Sequence, residues 1–179
     1  MFGDDLYTEL KNLKIANCNQ DSARCLFAEM KDTINDRTKT DLDRAVAFYV
    51  VNKCSFSGLT ESSSFSPQAS DSNFSMRGIE KLPEYSEIIS HLHINQYSYE
   101  YCFRTDVHDG LFMYLDPPYD IKDNLYGHKG SMHKRFDHDK FAKDCDEIDT
   151  PMMISYNSDQ LVKDRFQSSK WNAGEFDLT

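Results

Sequence analysis

The segment Asp116-Pro117-Pro118-Tyr119 constrains the fold more than any other part of this 179-residue chain. It directly follows an apolar run, residues 111–115, which predicts a buried β-strand. Two successive prolines lack amide hydrogens, so the ladder of that strand ends at the motif. What remains is one carboxylate and several carbonyl oxygens beside an aromatic ring. This group of acceptors suits an exocyclic amino group on a flat ring, such as that of adenine.

The composition is that of a soluble globular protein. Hydrophobic residues make up 39% of the chain and charged residues 28%, and no apolar run approaches the length of a membrane span. The acidic N-terminus has no apolar core segment, so a signal peptide is not predicted. Five widely spaced cysteines without a Cys-x-x-Cys pair predict reduced thiols in a cytoplasmic protein.

A metal site is not predicted. His128, His133 and His138 are evenly spaced, with Cys145 downstream. This spacing matches no standard pattern of zinc ligands. A polar surface segment is the simpler interpretation.

The formal net charge of −10 is unusual for a protein that binds nucleic acid, because phosphate contacts supply much of such affinity. The most basic stretch, residues 122–143, includes Lys129 and Lys134. On charge alone it is interpreted as solvated loop and helix surface. A basic binding surface would therefore be local, or would lie partly outside this chain.

Helical spacing of apolar residues dominates the first half of the chain. It predicts helices at residues 4–14, 20–35, 41–52 and 82–91, with Asp21 or Ser22 as N-cap of the second and Pro83 in the first turn of the fourth. A serine-rich segment, residues 55–77, lies before the fourth helix. Phe56, Phe65 and Phe74 recur in it at a spacing of nine. This spacing favours an ordered excursion with anchoring aromatics over a flexible linker.

Strand-like segments alternate with helical ones in the second half. Strands are predicted at residues 94–101, 111–115, 152–156 and 175–179, and helices at 136–148 and 159–166. The alternation predicts an α/β sheet that is mainly parallel in its middle. We therefore divide the chain into a helical and serine-rich segment, residues 1–93, and a catalytic α/β part, residues 94–179.

The acceptors of the motif suit methylation of an amino group. Adenine N6 is a poor nucleophile, and acceptors aimed at its two hydrogens favour the tetrahedral geometry that the nitrogen acquires as it attacks. The Asp116 side chain and the Pro117 carbonyl are suited to this, and the prolines hold them in place before the substrate arrives. Tyr119 is available to stack on a flipped base. The competing interpretation is an ordinary turn that ends a strand.

Three segments together resemble the Dam-type (D12 class) N6-adenine DNA methyltransferases of bacteria and phages. Asp116-Pro117-Pro118-Tyr119 is similar to the family's catalytic motif. Residues 47–59, AFYVVNKCSFSGL, resemble the helix and Asn-x-x-x-Phe-x-Gly-Leu segment that lead into the family's DNA-contacting region. Residues 152–158, MMISYNS, resemble the family strand that ends in Ser-Asn. The resemblance covers residues 41–179.

The resemblance implies a Rossmann-like sheet, S-adenosylmethionine as methyl donor and flipping of adenine from double-stranded DNA, in the context of restriction-modification. The motif would hold the adenine, with Asp116 also near the cofactor. The family's Asp-aromatic cofactor pair is replaced by Tyr97-Ser98-Tyr99, which has no Asp. DNA contacts would come from about residues 52–77 and from the basic stretch: Asn52, Lys53, Ser57, Asn73, Arg77, Lys129 and Lys134.

The chain departs from the family at the cofactor loop. The family has an aromatic-x-Gly-x-Gly turn, whereas none of the seven glycines here forms a Gly-x-Gly. The chain also ends inside a predicted strand. We therefore expect an incomplete Rossmann-like sheet without its N-terminal cofactor-loop half, as in a fragment of a longer enzyme. Its exposed sheet edge would pair with the missing half or with a second copy.

Two alternatives stay open. A non-catalytic DNA-binding or assembly module is favoured by the missing loop and the negative charge. An amino-methyltransferase that acts on cytosine N4, RNA adenine or protein glutamine would present an amino group to the same acceptors.

Overall fold

The computed structural model describes residues 2–58, 63–105, 110–120 and 136–176. The chain divides into two compact units, Met1–His93 and Ile94–Thr179. Each unit has its own hydrophobic core. No helix in the described ranges has the length and hydropathy that a membrane span requires.

The first unit is helical. Its elements are α1 (Phe2–Ala16), α2 (Gln20–Thr33), α3 (Asp41–Cys54), a 3₁₀ turn (Phe56–Gly58), α4 (Pro67–Ser72), α5 (Met76–Glu80), a second 3₁₀ turn (Leu82–Tyr85) and α6 (Ser86–Ser90). The helices predicted at 4–14, 20–35 and 41–52 are confirmed. The helix predicted at 82–91 is a 3₁₀ turn followed by α6.

Side-chain caps determine where these helices begin. At α3, Thr40 and Asp43 form a reciprocal capping box. The prediction of Asp21 or Ser22 as N-cap of α2 is wrong: the cap is Asn19, whose side-chain oxygen accepts from the Ser22 amide at 2.9 Å. The cap lies one residue before the helix, where the backbone is still extended.

The serine-rich segment is ordered where the structure describes it. Ser66 caps α4 and Ser75 caps α5, so part of its serine content serves short helices that need caps. Phe74 is fully buried, and Phe65 packs edge-on against Phe27 with ring centroids 5.7 Å apart. Phe56 is 68% exposed, so the anchoring role predicted for it is wrong.

The core of the first unit lies between α1, α2 and α3. One face of α3 is buried in this core. It is formed by Val46, Ala47, Val50, Val51 and Cys54. Leu10 of α1 and Phe27 of α2 pack against it. These positions follow the helical spacing that the sequence predicts.

The second unit contains α7 (Tyr99–Thr105), β1 (Met113–Leu115), α8 (His138–Glu147), β2 (Met152–Ile154) and α9 (Gln160–Arg165). β1 and β2 pair in parallel, with Tyr114 opposite Met153. Parallel pairing and the two helices predicted at 136–148 and 159–166 are confirmed. The described residues form a helix-rich arrangement with a small parallel sheet.

The strand predicted at residues 94–101 is wrong. Residues 92–98 have no regular secondary structure and α7 begins at Tyr99. Aromatic residues at 97, 99, 101 and 103 alternate like a strand, but they also place Tyr99 and Phe103 four residues apart. These two rings pack edge-on, with their centroids 5.3 Å apart, and belong to one core. The helical spacing therefore determines the structure of this segment. Glu175 and Phe176 form no strand, and residues 177–179 lie outside the described residues.

The sheet is buried on one face only. Met113 and Leu115 of β1 pack against the core of the unit together with Met152 and Ile154 of β2. On the other face Tyr114 and Met153 are 60% and 57% exposed. The prediction of a buried strand at residues 111–115 is therefore wrong for this face, because side chains alternate between the two faces of a sheet.

Candidate active site

The motif lies at the carboxyl end of β1, beside the carboxyl end of β2. Leu115 pairs with Ile154, and the Ser155 amide extends the ladder by donating to the Leu115 carbonyl at 3.0 Å. Asp116 is therefore the first residue beyond the paired strands. Ligands of open α/β sheets bind outside this end of the strands.

The Asp116 side chain is hydrogen-bonded to Ser155, the residue that follows β2. The Ser155 hydroxyl donates a hydrogen bond of 2.5 Å to Asp116 Oδ1. The Asp116 side chain is exposed, so its carboxylate is both oriented by the protein and accessible to a ligand. Pro117 behind it is buried, and Pro118 and Tyr119 are half-buried.

The other end of the motif is also fixed from β2's side. Asn157 Oδ1 accepts from the Asp120 amide at 3.1 Å, and Asn157 Nδ2 donates to the Asp120 carbonyl at 3.5 Å. Ser155 and Asn157 are two residues apart in extended chain, so they face the same side. Together they hold the residues on both sides of the Pro-Pro-Tyr turn.

A charged cluster supports this arrangement. The Arg165 guanidinium donates to Asp120 Oδ2 at 2.7 Å and to Asp139 Oδ1 at 2.6 Å. Burial disfavours the charge of Arg165, but the hydrogen bonds to Asp139 and Asp120 outweigh burial and hold the Arg165 pKa above its ordinary value. His138 bonds through Nδ1 to the Tyr156 hydroxyl, and its Nε2 lies 4.0 Å from Asp120. Burial lowers the pKa of His138 and raises that of Tyr156.

Four residues that hold the motif or support it were not predicted from sequence: Ser155, Asn157, Arg165 and His138. The one signal that could have found the first two is their position. Polar residues that alternate directly after a predicted parallel strand lie at the same sheet edge as the motif. Arg165 and His138 carry no such signal.

The first unit contains an open cleft with a volume of about 390 Å³. Its lining includes Tyr49, Asn52, Lys53, Asn73, Lys81 and Tyr85, and no acidic residue of the described chain lines it. Asn52 Nδ2 also donates to the Gly58 carbonyl at 2.7 Å. Gly58, which also lines the cleft, has a φ of +67° that glycine adopts without steric cost.

Three of the residues predicted to contact DNA therefore come together here: Asn52, Lys53 and Asn73. Arg77 is exposed on α5 and does not line the cleft. Ser57 belongs to the 3₁₀ turn after α3, and Lys129 and Lys134 lie outside the described residues.

The family comparison covers most of the chain. The family of D12 class N6 adenine-specific DNA methyltransferases matches residues 3–175. The chain belongs to this family. No curated protein sequence matches it. The match begins before residue 41, so the family relationship extends over α1 and α2, which the sequence motifs did not include.

Membership of this methyltransferase family implies S-adenosylmethionine as methyl donor. An exposed carboxylate at the end of a parallel strand fits a cofactor with ribose hydroxyls and an ammonium group, and Asp116 is such a carboxylate. No glycine lies in the described turn that follows β1 or β2, residues 116–120 and 155–159. Among the described residues, the fit to the cofactor therefore rests on Asp116.

The other three residues predicted to bind the cofactor lie around the start of α7. Tyr97 and Ser98 are exposed. The Tyr99 ring packs against Phe103 and Phe141, and its hydroxyl donates to Asp144 at 2.9 Å. Burial raises the pKa of Tyr99 to about 12. These contacts tie Tyr99 to α8, and its role toward the cofactor stays a prediction.

No group of histidine, cysteine and carboxylate side chains in the described ranges is arranged to hold a metal. His138, one of the three evenly spaced histidines, is bonded to Tyr156. His128 and His133 lie outside the described residues.

Proposed function

We propose that this chain transfers a methyl group from S-adenosylmethionine to the N6 amino group of adenine in DNA. One observation carries the proposal: an exposed Asp116, fixed by Ser155, lies at the end of a parallel strand in a chain that belongs to the D12 class. Beside it are a proline carbonyl and a half-buried tyrosine, which complete the group of acceptors and stacking surface.

The proposed chemistry depends on acceptors for the amino hydrogens. Asp116 would accept one N6 hydrogen and the Pro117 carbonyl the other. As the nitrogen becomes tetrahedral its lone pair is freed from the ring, and both hydrogen bonds strengthen in that geometry. When bound, the cofactor would supply the methyl group: its C–S bond would break as the N6–C bond forms, S-adenosylhomocysteine would leave, and N6 would then lose one proton to solvent. Because Ser155 already occupies one lone pair of the carboxylate, little reorientation of Asp116 is needed when the base arrives.

The proposed substrate requires the base to leave the duplex. A base inside the helix cannot reach acceptors at a strand end, so the target would be flipped. Tyr119 is placed two residues beyond the Pro117 carbonyl and would stack on the flipped ring. Stacking on an aromatic side chain is worth about 1–3 kcal/mol per base.

The cleft of the first unit is the proposed contact with the DNA backbone. Two lysines, Lys53 and Lys81, line it, and no acidic residue among the described residues does. In a chain with a net charge of −10, such a surface is a local exception. Lysine and asparagine donors of this kind position DNA through its phosphates.

The proposal is tested by incubating the chain with radiolabelled S-adenosylmethionine and unmethylated duplex DNA. Label should appear in N6-methyladenine, and Asp116→Ala should abolish it. Asp149→Asn is the control. It also removes an exposed carboxylate, but from the segment before β2, at the opposite end of the strand pair from Asp116. Equal label with wild type and Asp116→Ala would refute the proposal.

The same assay distinguishes adenine in DNA from the other amino-group substrates. Duplex DNA without adenine, adenine-containing RNA and a glutamine-containing peptide are offered in parallel. Label in N4-methylcytosine, in RNA or in the peptide would assign the chemistry to that substrate. The motif's acceptors alone do not distinguish among them.

A second candidate function is a non-catalytic DNA-binding or assembly module. The exposed face of the β1–β2 pair, with Tyr114 and Met153, favours it, because parallel sheets are usually covered on both faces. Calorimetric titration with S-adenosylmethionine distinguishes the two candidates. Micromolar binding supports the enzyme. Absence of binding, together with a dimer in light scattering, supports the module.

A further inference from the structure

Arg165 joins the motif to two other parts of the second unit. It is the last residue of α9, and its side chain is only 18% exposed. Its Nη1 lies 2.7 Å from Asp120 Oδ2 and its Nε lies 2.6 Å from Asp139 Oδ1. Asp120 directly follows Tyr119, and Asp139 lies in the first turn of α8.

Asp120 is held by its main chain as well as by its side chain. Asn157 pairs with both its amide and its carbonyl, while Arg165 binds its carboxylate. At the other end of the turn, Ser155 holds Asp116. Between these two fixed points lie three residues, of which two are prolines with a fixed φ angle. Displacement of Asp120 would therefore displace Tyr119 and the Pro117 carbonyl.

The contact depends on a guanidinium group. The planar fork of arginine donates from two nitrogens to two carboxylates at once, which the single ammonium of lysine does less well. Asp120 is partly buried, with 32% of its side chain exposed, and His138, whose pKa is lowered by burial, lies 4.0 Å from it. Loss of Arg165 would remove the guanidinium that binds this partly buried carboxylate, which favours movement of Asp120 toward water.

We propose that Arg165 is a positioning residue: through Asp120 it fixes the turn that carries the Pro117 carbonyl and Tyr119. It touches neither base nor cofactor itself. Its effect on catalysis rests on the methyl transfer proposed above, whereas its effect on the turn does not.

The first measurement needs no activity. Hydrogen exchange of the Asp120 amide is followed by NMR in wild type and in Arg165→Met. The amide is bonded to Asn157, so loosening of the turn should speed its exchange by a factor on the order of ten. Lys163→Met is the control: like Arg165→Met it removes a cation from α9, and it breaks the ion pair with Glu175 instead of the two pairs of Arg165. It should leave the Asp120 amide at the wild-type rate.

The second measurement is methyl transfer. Arg165→Met should lower kcat by a factor on the order of 10 to 100, as expected for a small misplacement of reacting groups, and leave the KM for DNA within about threefold. Arg165→Lys should recover part of kcat. Asp120→Asn should show the same loss as Arg165→Met, and the double variant should lose no more than either one. Asp139→Asn, which removes the other partner of Arg165, should retain most of kcat.

The outcomes separate the two proposals. Faster Asp120 exchange in Arg165→Met, with no methyl transfer even in wild type, keeps the positioning role and refutes the proposed function. Unchanged Asp120 exchange in folded Arg165→Met overturns the positioning role, whatever the activity. Equal acceleration in Lys163→Met also overturns it, because the cause would then be a general loss of stability of α9. Circular dichroism of Arg165→Met and Arg165→Lys verifies that both variants fold.

Discussion

The Ser155 hydroxyl donates to the Asp116 carboxylate at 2.5 Å, across the ends of two parallel strands. The bond ties the first residue of the Asp-Pro-Pro-Tyr turn to the strand beside it. It orients the carboxylate in the absence of any ligand. The position of the proposed catalytic oxygen is therefore a property of the sheet and not of the turn alone.

Ser155→Ala should reduce methyl transfer while the chain stays folded. The variant leaves Asp116 in place but without the donor that orients it, so kcat should fall roughly 10- to 100-fold, as for one hydrogen bond to a charged group. Single-turnover kinetics with labelled S-adenosylmethionine measure this loss. Ser158→Ala is the control, because its hydroxyl donates to Glu175 away from the motif. Equal losses in the two variants would contradict the role of Ser155.

Lys53→Met and Lys81→Met should weaken DNA binding in a salt-dependent way. Both side chains line the acid-free cleft of the first unit. If each contacts one phosphate, the slope of log K against log salt concentration should become shallower by about 0.9 per variant. Fluorescence anisotropy with a labelled duplex, measured over a series of salt concentrations, provides the slope. Lys39→Met, in the exposed turn before α3, should leave the slope unchanged.

Phe74→Ala should destabilise the first unit by about 3–5 kcal/mol, because it opens a cavity at a fully buried position. Phe56→Ala removes the same side chain from a 68% exposed position and should change stability by no more than about 0.5 kcal/mol. Urea unfolding followed by circular dichroism measures both. Similar losses of unfolding free energy in the two variants would contradict this prediction, because Phe74 is buried and Phe56 is exposed.

His138 should make the second unit less stable in mild acid. Burial lowers its pKa in the folded chain, and the charged groups that face it are Asp120, Arg165, Asp139 and Asp137, with the Tyr156 hydroxyl on its Nδ1. The unfolded chain therefore takes up a proton first. Stability from neutral His138 is fully present above the unfolded pKa of about 6.5, and it is lost as pH falls through that value toward the lower folded pKa.

Thermal unfolding between about pH 7.5 and 5.5 tests this sign. The Tm of wild type should fall more over this range than that of His138→Gln. His91→Gln, which replaces an exposed histidine at the end of α6, should behave like wild type. A wild-type Tm that rises on acidification, relative to His138→Gln, would show that protonation stabilises the fold instead.

The parts of the fold that follow from local sequence could be predicted. α3 was predicted because its apolar residues recur at helical spacing and the acidic Asp41 and Asp43 stand at its start. β1 and β2 were predicted because each is a short apolar run between turn residues. The strand predicted at 94–101 failed because aromatics at every second position satisfy strand alternation and helical spacing alike. The two are distinguished by tertiary packing, in which Tyr99 contacts both Phe103 and Phe141.

The Asp-Pro-Pro-Tyr motif could be found from sequence, but the residues that hold it were not predicted. Asp116 and Tyr119 belong to a rare tetrapeptide, and the chemistry that it favours can be inferred from its residue types. Asn157 and Arg165 bind Asp120 from 37 and 45 residues away. For Asn157 the one local signal is its position after a predicted parallel strand. Arg165 has no such signal, because its contact exists only once α9 has packed.

The contact between Arg165 and both Asp120 and Asp139 also bears on how this protein tolerates changes in length. One side chain thereby joins the two ends of residues 121–138. When the ends of a loop are held by a contact outside it, doubling the length of the loop costs only about 0.6 kcal/mol in closure entropy. Insertions or deletions between Asp120 and Asp139 should therefore leave Tyr119 in place.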